Sequence, residues 1–480
     1  MTMDAILLID FGSTYTKLTA IDMEHEEIFA TAKSLTTVEN DIMVGFYKAY
    51  DQLMKKCKGK DVIFQEKLAC SSAAGGLKMI AIGLVPDLTA EAAKRAALGA
   101  GSRILDVYSY ELSVGEMKKI VKQKPDIILL AGGTDGGNKD CIMHNARMIA
   151  EYVKDIPIVV AGNRKANDEI EELFTKQGID HTITENVMPR LNVINVEPAR
   201  EVIRDIFMKK IVEAKGMKNA EEFISGILMP TPAAVLKAAH ILADGTDEED
   251  GIGDLVIVDV GGATTDVHSI GKGKPTQAGV MEVGLQEPYV KRTVEGDLGM
   301  RVSAESLAEV VGKKYFKKYA SNVSYDLQER CHYLAQNVNE IPKTREEIEF
   351  DEAMGMSAVD IALQRHVGVL EEVYTPMGKV YSLKGKDLTE VKYIIGTGGV
   401  IVHSKNPAKI LQAGFYDPER PNYLKPKHSE LLVDKTYILS AMGILAMKYP
   451  STAVRMLKKY LVNADECEYI KGEICYGTSK

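Results

Sequence analysis

The chain has 480 residues, 45% of them hydrophobic and 26% charged, an ordinary composition for two or three packed domains. Its 59 basic and 68 acidic residues leave a net charge of −9, which argues against nucleic acid as a main partner because phosphate neutralisation needs basic faces. No run approaches the roughly 18 apolar residues of a membrane span, no signal-like core precedes Asp10, and the cysteines at 57, 70, 141, 331, 467 and 475 show no CxxC or zinc spacing, so the expectation is a reduced, cytoplasmic protein with no membrane partner.

Residues 5–10, 15–21 and 27–32 read as three consecutive strands. The apolar run Leu7-Leu8-Ile9 delivers Asp10 to a sheet edge, and Gly12 lets the backbone fold tightly enough for its N–H groups to meet a phosphate. Ser13 and Thr14 add hydroxyl donors before Tyr15 opens the next strand. A helix at about 39–57 and a strand at 65–71 lead into the small-residue turn 71–76, read as a tight loop.

From about 88 to 195 helices alternate with strands, which implies a parallel sheet covered on both faces. The helices fall near 88–100, 113–123, 138–153 and 166–177, and the strands near 103–108, 126–131, 157–161 and 181–184. Gly132-Gly133-Thr134-Asp135-Gly136-Gly137-Asn138 and Gly162-Asn163 sit at carboxyl ends of neighbouring strands, the edge where open α/β sheets bind ligands. They suit helix starts without a ligand, or a second site. Helices at 198–214 and 231–243 precede the acidic loop 244–251, read as a solvated boundary.

Strands at 255–259, 265–270 and 277–283 repeat the opening meander, and helices at 302–318, 324–335 and 344–372 form an insertion. Strands return near 379–383 and 392–395, and a helix and short polar tail follow residue 450. The repeat carries the same kind of turn, Asp259-Val260-Gly261-Gly262-Ala263-Thr264-Thr265-Asp266, and a third glycine turn, Gly396-Thr397-Gly398-Gly399, follows Tyr393-Ile394-Ile395. One such turn would be an ordinary hairpin. Three in this order describe a nucleotide cleft between two related lobes. Asp10, Asp259 and Asp266 would repel phosphate directly, so their expected task is to hold a hydrated Mg2+.

The three turns resemble the phosphate-one, phosphate-two and adenosine motifs of the actin, sugar-kinase and heat-shock-chaperone ATPases. Met229-Pro230-Thr231-Pro232-Ala233-Ala234-Val235-Leu236 and Ser440-Ala441-Met442-Gly443-Ile444-Leu445-Ala446 stand where that superfamily has its two connecting helices. The run at 132–138, Val294-Glu295-Gly296-Asp297-Leu298-Gly299-Met300-Arg301 and the length are similar to the glutamate mutase accessory family (GlmL or MutL, unrelated to mismatch repair) over nearly the whole chain.

The resemblance implies an α/β, actin-like fold of two duplicated ribonuclease-H-like lobes around a nucleotide cleft. The first lobe would span 1–244, with an inserted α/β region at about 88–195; the second would span 252–450, with a helical insertion at about 302–372; a helix and tail would fill 451–480. It implies a slow, Mg-dependent ATPase acting as a chaperone-like reactivating factor. Its partner would be an adenosylcobalamin-dependent mutase, glutamate mutase or a related aminomutase, which it relieves of damaged cobalamin. A metabolite kinase is the alternative.

Asp10 and Asp259 are then the catalytic candidates. The amides and hydroxyls of Gly12, Ser13, Thr14, Tyr15, Gly261, Gly262, Thr264 and Thr265 would grip the phosphates of ATP, while Gly396, Gly398 and Gly399 would let adenosine lie against backbone. Lys17, Asp297 and Arg301 are further candidate contacts. One departure stands out: where the chaperones carry an acidic residue that places the attacking water, this chain has Met229.

Overall fold

The computed structural model describes residues 2–12, 15–37, 41–57, 61–72, 77–213, 227–320, 323–376 and 378–467. Ser13, Thr14 and most of the small-residue turn at 71–76 therefore lie outside the described residues. The chain opens with β1 (Thr2–Phe11), β2 (Tyr15–Asp22), β3 (Glu27–Leu35), α1 (Ile42–Lys56) and β4 (Asp61–Ser71). It then builds a separate parallel sheet from β5 (Lys78–Gly83), α2 (Glu91–Gly99), β6 (Arg103–Ser109), α3 (Val114–Gln123), β7 (Ile127–Leu130), α4 (Asp140–Tyr152), β8 (Ile158–Val160), α5 (Asn167–Gln177) and β9 (His181–Ile183), before α6 (Glu197–Glu213) returns it to β10 (Ile227–Pro230) and α7 (Thr231–Asp244).

The first sheet has the order β10-β4-β1-β2-β3 and the inserted one β6-β5-β7-β8-β9. The first strand of the inserted sheet in chain order, β5, starts at Lys78, ahead of the expected start of the inserted region near 88. Its apolar core, Met79-Ile80-Ala81-Ile82, is only four residues long and is bracketed by glycines, too brief for periodicity to announce.

The second lobe runs β11 (Leu255–Val260), β12 (Thr265–Ile270), β13 (Val280–Glu282), β14 (Val290–Glu295), α8 (Ala304–Phe316), α9 (Leu327–Gln336), α10 (Arg345–His366), β15 (Val369–Thr375), β16 (Gly378–Lys384), β17 (Tyr393–Thr397), α11 (Gly399–Val402), α12 (Pro407–Gln412), β18 (Glu430–Val433), α13 (Leu439–Leu445), α14 (Pro450–Tyr460) and β19 (Val462–Asn463). Its main sheet reads β14-β12-β11-β17-β18-β19. Without β19 this matches the first sheet strand for strand, and α13 follows β18 as α7 follows β10. The duplication is therefore in the topology itself, and the fold is an actin-like pair of ribonuclease-H-like lobes.

Two expectations need correction. The third meander strand is β14, paired antiparallel with β12, and not the run at 277–283; there β13 joins β16 and β15 in a small separate sheet. The helix expected to reach 372 ends at His366. Gly368 then donates its N–H to Lys386 O, and a side chain at 368 would lie 2.8 Å from that same oxygen, so the chain leaves the helix and enters β15.

The central strands are buried on both faces. Along β1, Leu7, Ile9 and Phe11 face a core shared with α1 and α2, while Ile6 and Leu8 face α7 and α13. In β11, Val256, Val258 and Val260 join the helical insertion, and Leu255 and Ile257 meet the same two connecting helices. One apolar cluster thus binds the lobes together through α7 and α13. A Cβ at Gly443 would sit 1.8 Å from Ala234 O, so at their crossing the helices touch backbone to backbone. No described helix is long and apolar enough to cross a membrane.

Gly443→Ala must separate two helices that carry both sheets. The expected cost is about 1–3 kcal/mol, the range for forced overpacking, and thermal unfolding of the two proteins side by side measures it.

Candidate functional site

Both phosphate turns are built to one plan. Asp10 stands opposite Lys17 across β1 and β2, and Asp259 stands opposite Asp266 across β11 and β12. Two residues after each first aspartate, a glycine N–H closes the turn: Gly12 onto Tyr15 O at 3.1 Å and Gly261 onto Thr264 O at 2.9 Å. At Gly12 an added Cβ would lie 2.6 Å from Tyr15 O, so the turn admits only glycine there. Thr36 braces the first turn by donating its hydroxyl to Gly12 O at 2.8 Å.

The second turn is clamped from behind. Met300 N donates to Gly261 O at 3.0 Å, Arg301 N to Gly262 O at 2.8 Å, and Ser303 Oγ to Ala263 O at 2.8 Å. A trans peptide unit carries its N–H opposite its C=O. The amides of Gly262, Ala263 and Thr264 therefore point away from that clamp and take no protein acceptor among the described residues. Three consecutive amides without an acceptor are left available to an outside oxygen. Gly299 makes the clamp possible, since a Cβ there would lie 2.4 Å from the carbonyl carbon of Ala263.

The third turn completes the site. Gly398 has φ +92°, and a Cβ on it would lie 2.2 Å from Val260 O, so it brings β17 against the end of β11. A Cβ at Gly399 would meet open space, and Gly396 is sealed beneath by Leu411 and Ile401.

The carboxylates differ in what holds them. Asp10 is buried and accepts from Thr231 Oγ at 2.7 Å, Ser440 Oγ at 3.0 Å and Cys70 Sγ at 3.5 Å. It thereby joins the starts of α7 and α13, one from each half of the chain. Asp266 accepts both guanidinium bonds of Arg292 on Oδ1, at 2.6 and 3.0 Å, and the Thr264 hydroxyl on Oδ2 at 3.0 Å. No donor among the described residues reaches the Asp259 carboxylate. Burial pushes Asp259 up to about 6; the negative charges of Asp266, Asp434 and Asp10 add to the rise, and Lys17 opposes it.

Sequence reasoning missed Asp434. It ends β18 as Asp10 follows Ile9, an apolar strand running straight into an aspartate, and that repeat was the signal available. Burial also raises Asp434, against hydrogen bonds from the N–H groups of Ile438 and Leu439 at 2.8 and 3.1 Å. Its own N–H donates to Gly396 O at 3.0 Å, which ties the third turn to the start of α13. Lys17 lies with Nζ 4.3 Å from the centre of the Tyr437 ring, between the lobes.

Other candidates turn elsewhere. The Thr265 hydroxyl is buried and donates to Leu298 O at 2.7 Å. Asp297 is held bidentately by Arg365 at 2.7 and 3.0 Å, and Arg301 pairs with Asp351 at 2.6 Å. All three belong to the scaffold behind the second turn. Met229 is buried beside Cys70 at the end of β10. Among the described residues no group of three His, Cys, Asp or Glu side chains is close enough to hold a metal by itself. Asp259, without a donor among the described residues and close to like charge, fits a cation that keeps most of its waters.

A family model described as "MutL protein" matches residues 6–461. The chain is 64% identical over 460 residues to "Protein MutL" of Clostridium tetanomorphum, with 96% of this chain and 100% of that one covered. Among solved structures, the activator of the 2-hydroxyisocaproyl-CoA dehydratase from Clostridium difficile with bound ADPNP is 10% identical, covering 95% of this chain and 97% of that chain at a TM-score of 0.29. Plasmodium falciparum glycerol kinase with ADP is 12% identical, covering 97% and 92% at a TM-score of 0.35. Likeness at that level carries no weight, and the duplication rests on the two sheet orders.

Asp259 is expected to cost the folded protein stability near neutral pH. Its folded pKa of about 6 lies above the ordinary 3.8, so the folded state holds the proton more tightly than the unfolded chain does. The resulting loss sets in as pH rises through 4 and is complete above 6. Asp259→Asn, neutral throughout, is expected to be more stable than the native protein by about 1–3 kcal/mol at pH 7.5 relative to the same comparison at pH 4. Denaturant unfolding at the two pH values measures this, and a pH-independent difference would contradict the assignment.

Proposed function

The chain belongs to the MutL family, the glutamate mutase accessory proteins, and on that premise we propose that it is an ATP-hydrolysing, chaperone-like reactivating factor for an adenosylcobalamin-dependent mutase. Glutamate mutase or a related aminomutase is the client, and the work done is release of damaged cobalamin. The observation that carries the reading is the pair of matched turns, Asp10–Tyr15 and Asp259–Thr264, one from each lobe.

In this reading ATP lies between the lobes. The amides of Gly262, Ala263 and Thr264 receive phosphate oxygens from the second lobe, and the Gly12–Tyr15 turn does so from the first. Lys17, opposite Asp10 on β2, supplies a cation. The adenosine lies against Gly396, Gly398 and Gly399, where the backbone is bare. Asp259, with Asp10 and Asp266, would hold Mg2+, which would neutralise charge on the phosphates. A cation beside Asp259 would favour its ionised form, opposing the influence of its acidic neighbours.

Hydrolysis is slow, since the Met229 position offers no carboxylate to orient the attacking water. One cycle per rescue suffices for a reactivating factor. Loss of the γ-phosphate removes the contact shared by both turns and lets the lobes open about α7 and α13.

The inserted parallel sheet is the part that meets the mutase. Its glycine-rich edge is held rigid by buried Asn163, which donates to Gly137 O at 3.0 Å and Asn138 O at 3.1 Å, and by Asn186, which donates to Gly133 O at 3.0 Å. A firm edge at a sheet's topological switch point suits recognition.

ATP-dependent recovery of an inactivated adenosylcobalamin mutase tests the proposal. Native protein is expected to restore activity, and Asp259→Ala to do so at a rate about 100-fold lower or worse, the scale for loss of one preorganised electrostatic group at a reacting centre. ATP binding without any recovery by native protein would overturn the reading. ADP production over a metabolite panel would then expose a kinase.

A further inference from the structure

Arg292 is a buried cation in β14, distant in sequence from everything it binds. Its Nε and Nη2 grip Asp266, while Nη1 donates to Leu98 O at 3.0 Å and Ser102 O at 3.3 Å. Leu98 lies in the last turn of α2, and its carbonyl also accepts the N–H of Gly101 at 3.1 Å. That turn contains no basic residue of its own, so a guanidinium from the other lobe serves its negative end. Ser102 is also fully buried.

α2 is the first helix of the inserted α/β unit. Its Ala92, Ala93, Ala96 and Ala97 pack into the first lobe's core, which also takes in Leu285 from the second lobe. Two further bridges cross here: Arg95 to Glu287 at 2.6 Å and Lys384 to Asp87 at 2.8 Å. Neither of them touches a phosphate turn. Arg292 does, because Thr264 donates its hydroxyl to the oxygen of Asp266 that Arg292 leaves open.

The Thr264 hydroxyl has one proton to give. It serves Asp266 or a phosphate oxygen, and not both. When it turns to phosphate, Asp266 keeps its full charge against Arg292. The guanidinium is a rigid plane with donors in a fixed fork, so a stronger pull on Nε and Nη2 reorients Nη1 against the carbonyls of α2. We propose that Arg292 is the positioning residue that carries the occupancy of the second phosphate turn to α2, and so to the inserted unit. This rests on the ATPase reading above and adds to it the route by which nucleotide state reaches the proposed mutase-binding part.

Hydrogen exchange of the full-length protein, with ADP or a non-hydrolysable ATP analogue and Mg2+, tests the route, with nucleotide binding measured in parallel by calorimetry. In native protein the amides of residues 91–102 are expected to change exchange rate by about fivefold or more between the two nucleotides, the lower end of ordinary coupling between sites. Arg292→Lys keeps a cation beside Asp266 but loses the fork; it is expected to bind nucleotide and lose the change at 91–102. Arg95→Gln, which breaks a bridge at the same interface, is expected to keep it. Native protein that binds both nucleotides with no change at 91–102 overturns the proposal without the variants. Equal loss in Arg292→Lys and Arg95→Gln overturns it too, since the response would then be general to the interface. Failure of native protein to bind nucleotide would instead defeat the ATPase reading, and the relay with it.

Discussion

Four carboxylates, Asp10, Asp259, Asp266 and Asp434, influence one another across a single cleft, and the polar groups around them answer to that charge. Three are quieted by the protein. Asp10 receives hydroxyls from two connecting helices, Asp266 a guanidinium and a hydroxyl, and Asp434 two backbone amides. Asp259 has no donor among the described residues, and burial, with its acidic neighbours adding to it, raises its pKa. Buried charge without a partner is costly and persists where function demands it.

That arrangement explains why the lobes must be both alike and unlike. They share the strand order and the glycine-closed turn, yet the position facing the first aspartate is Lys17 in one lobe and Asp266 in the other. A duplicated scaffold has acquired opposite charges at equivalent places. The first lobe places a cation beside its aspartate, and the second places an anion beside its own. Arg292 follows from this difference, because an aspartate at the Lys17-like position of the second lobe needs its own partner.

Much of this was legible in the sequence where the signal is local. Asp10 and Asp259 follow uninterrupted apolar runs and precede glycines, so strand, edge and turn could be read together. The small residues of the connecting helices were legible for the same reason, and Gly443 against Ala234 is where they matter. Partnerships between distant residues were not legible. Nothing near Arg292 announces Leu98, and nothing near Asp297 or Arg301 reveals that Arg365 and Asp351 hold them. The third meander strand was misplaced because 277–283 offers an apolar-looking run first, while β14 is rich in charge: Lys291, Arg292 and Glu295 face partners and not solvent. Polar residues buried by pairing look like surface to a hydropathy pattern.

The crossing of α7 and α13 is one of two places where the lobes are joined. At Gly443 and Ala234 the helices touch backbone to backbone, and the side chains on either side of that point share one apolar cluster. The other place is polar: Arg95 with Glu287, Lys384 with Asp87, and Arg292 with the end of α2. The two junctions therefore answer to different conditions. Salt screens the exposed charges at the border of the inserted unit and leaves the apolar crossing of the helices in place.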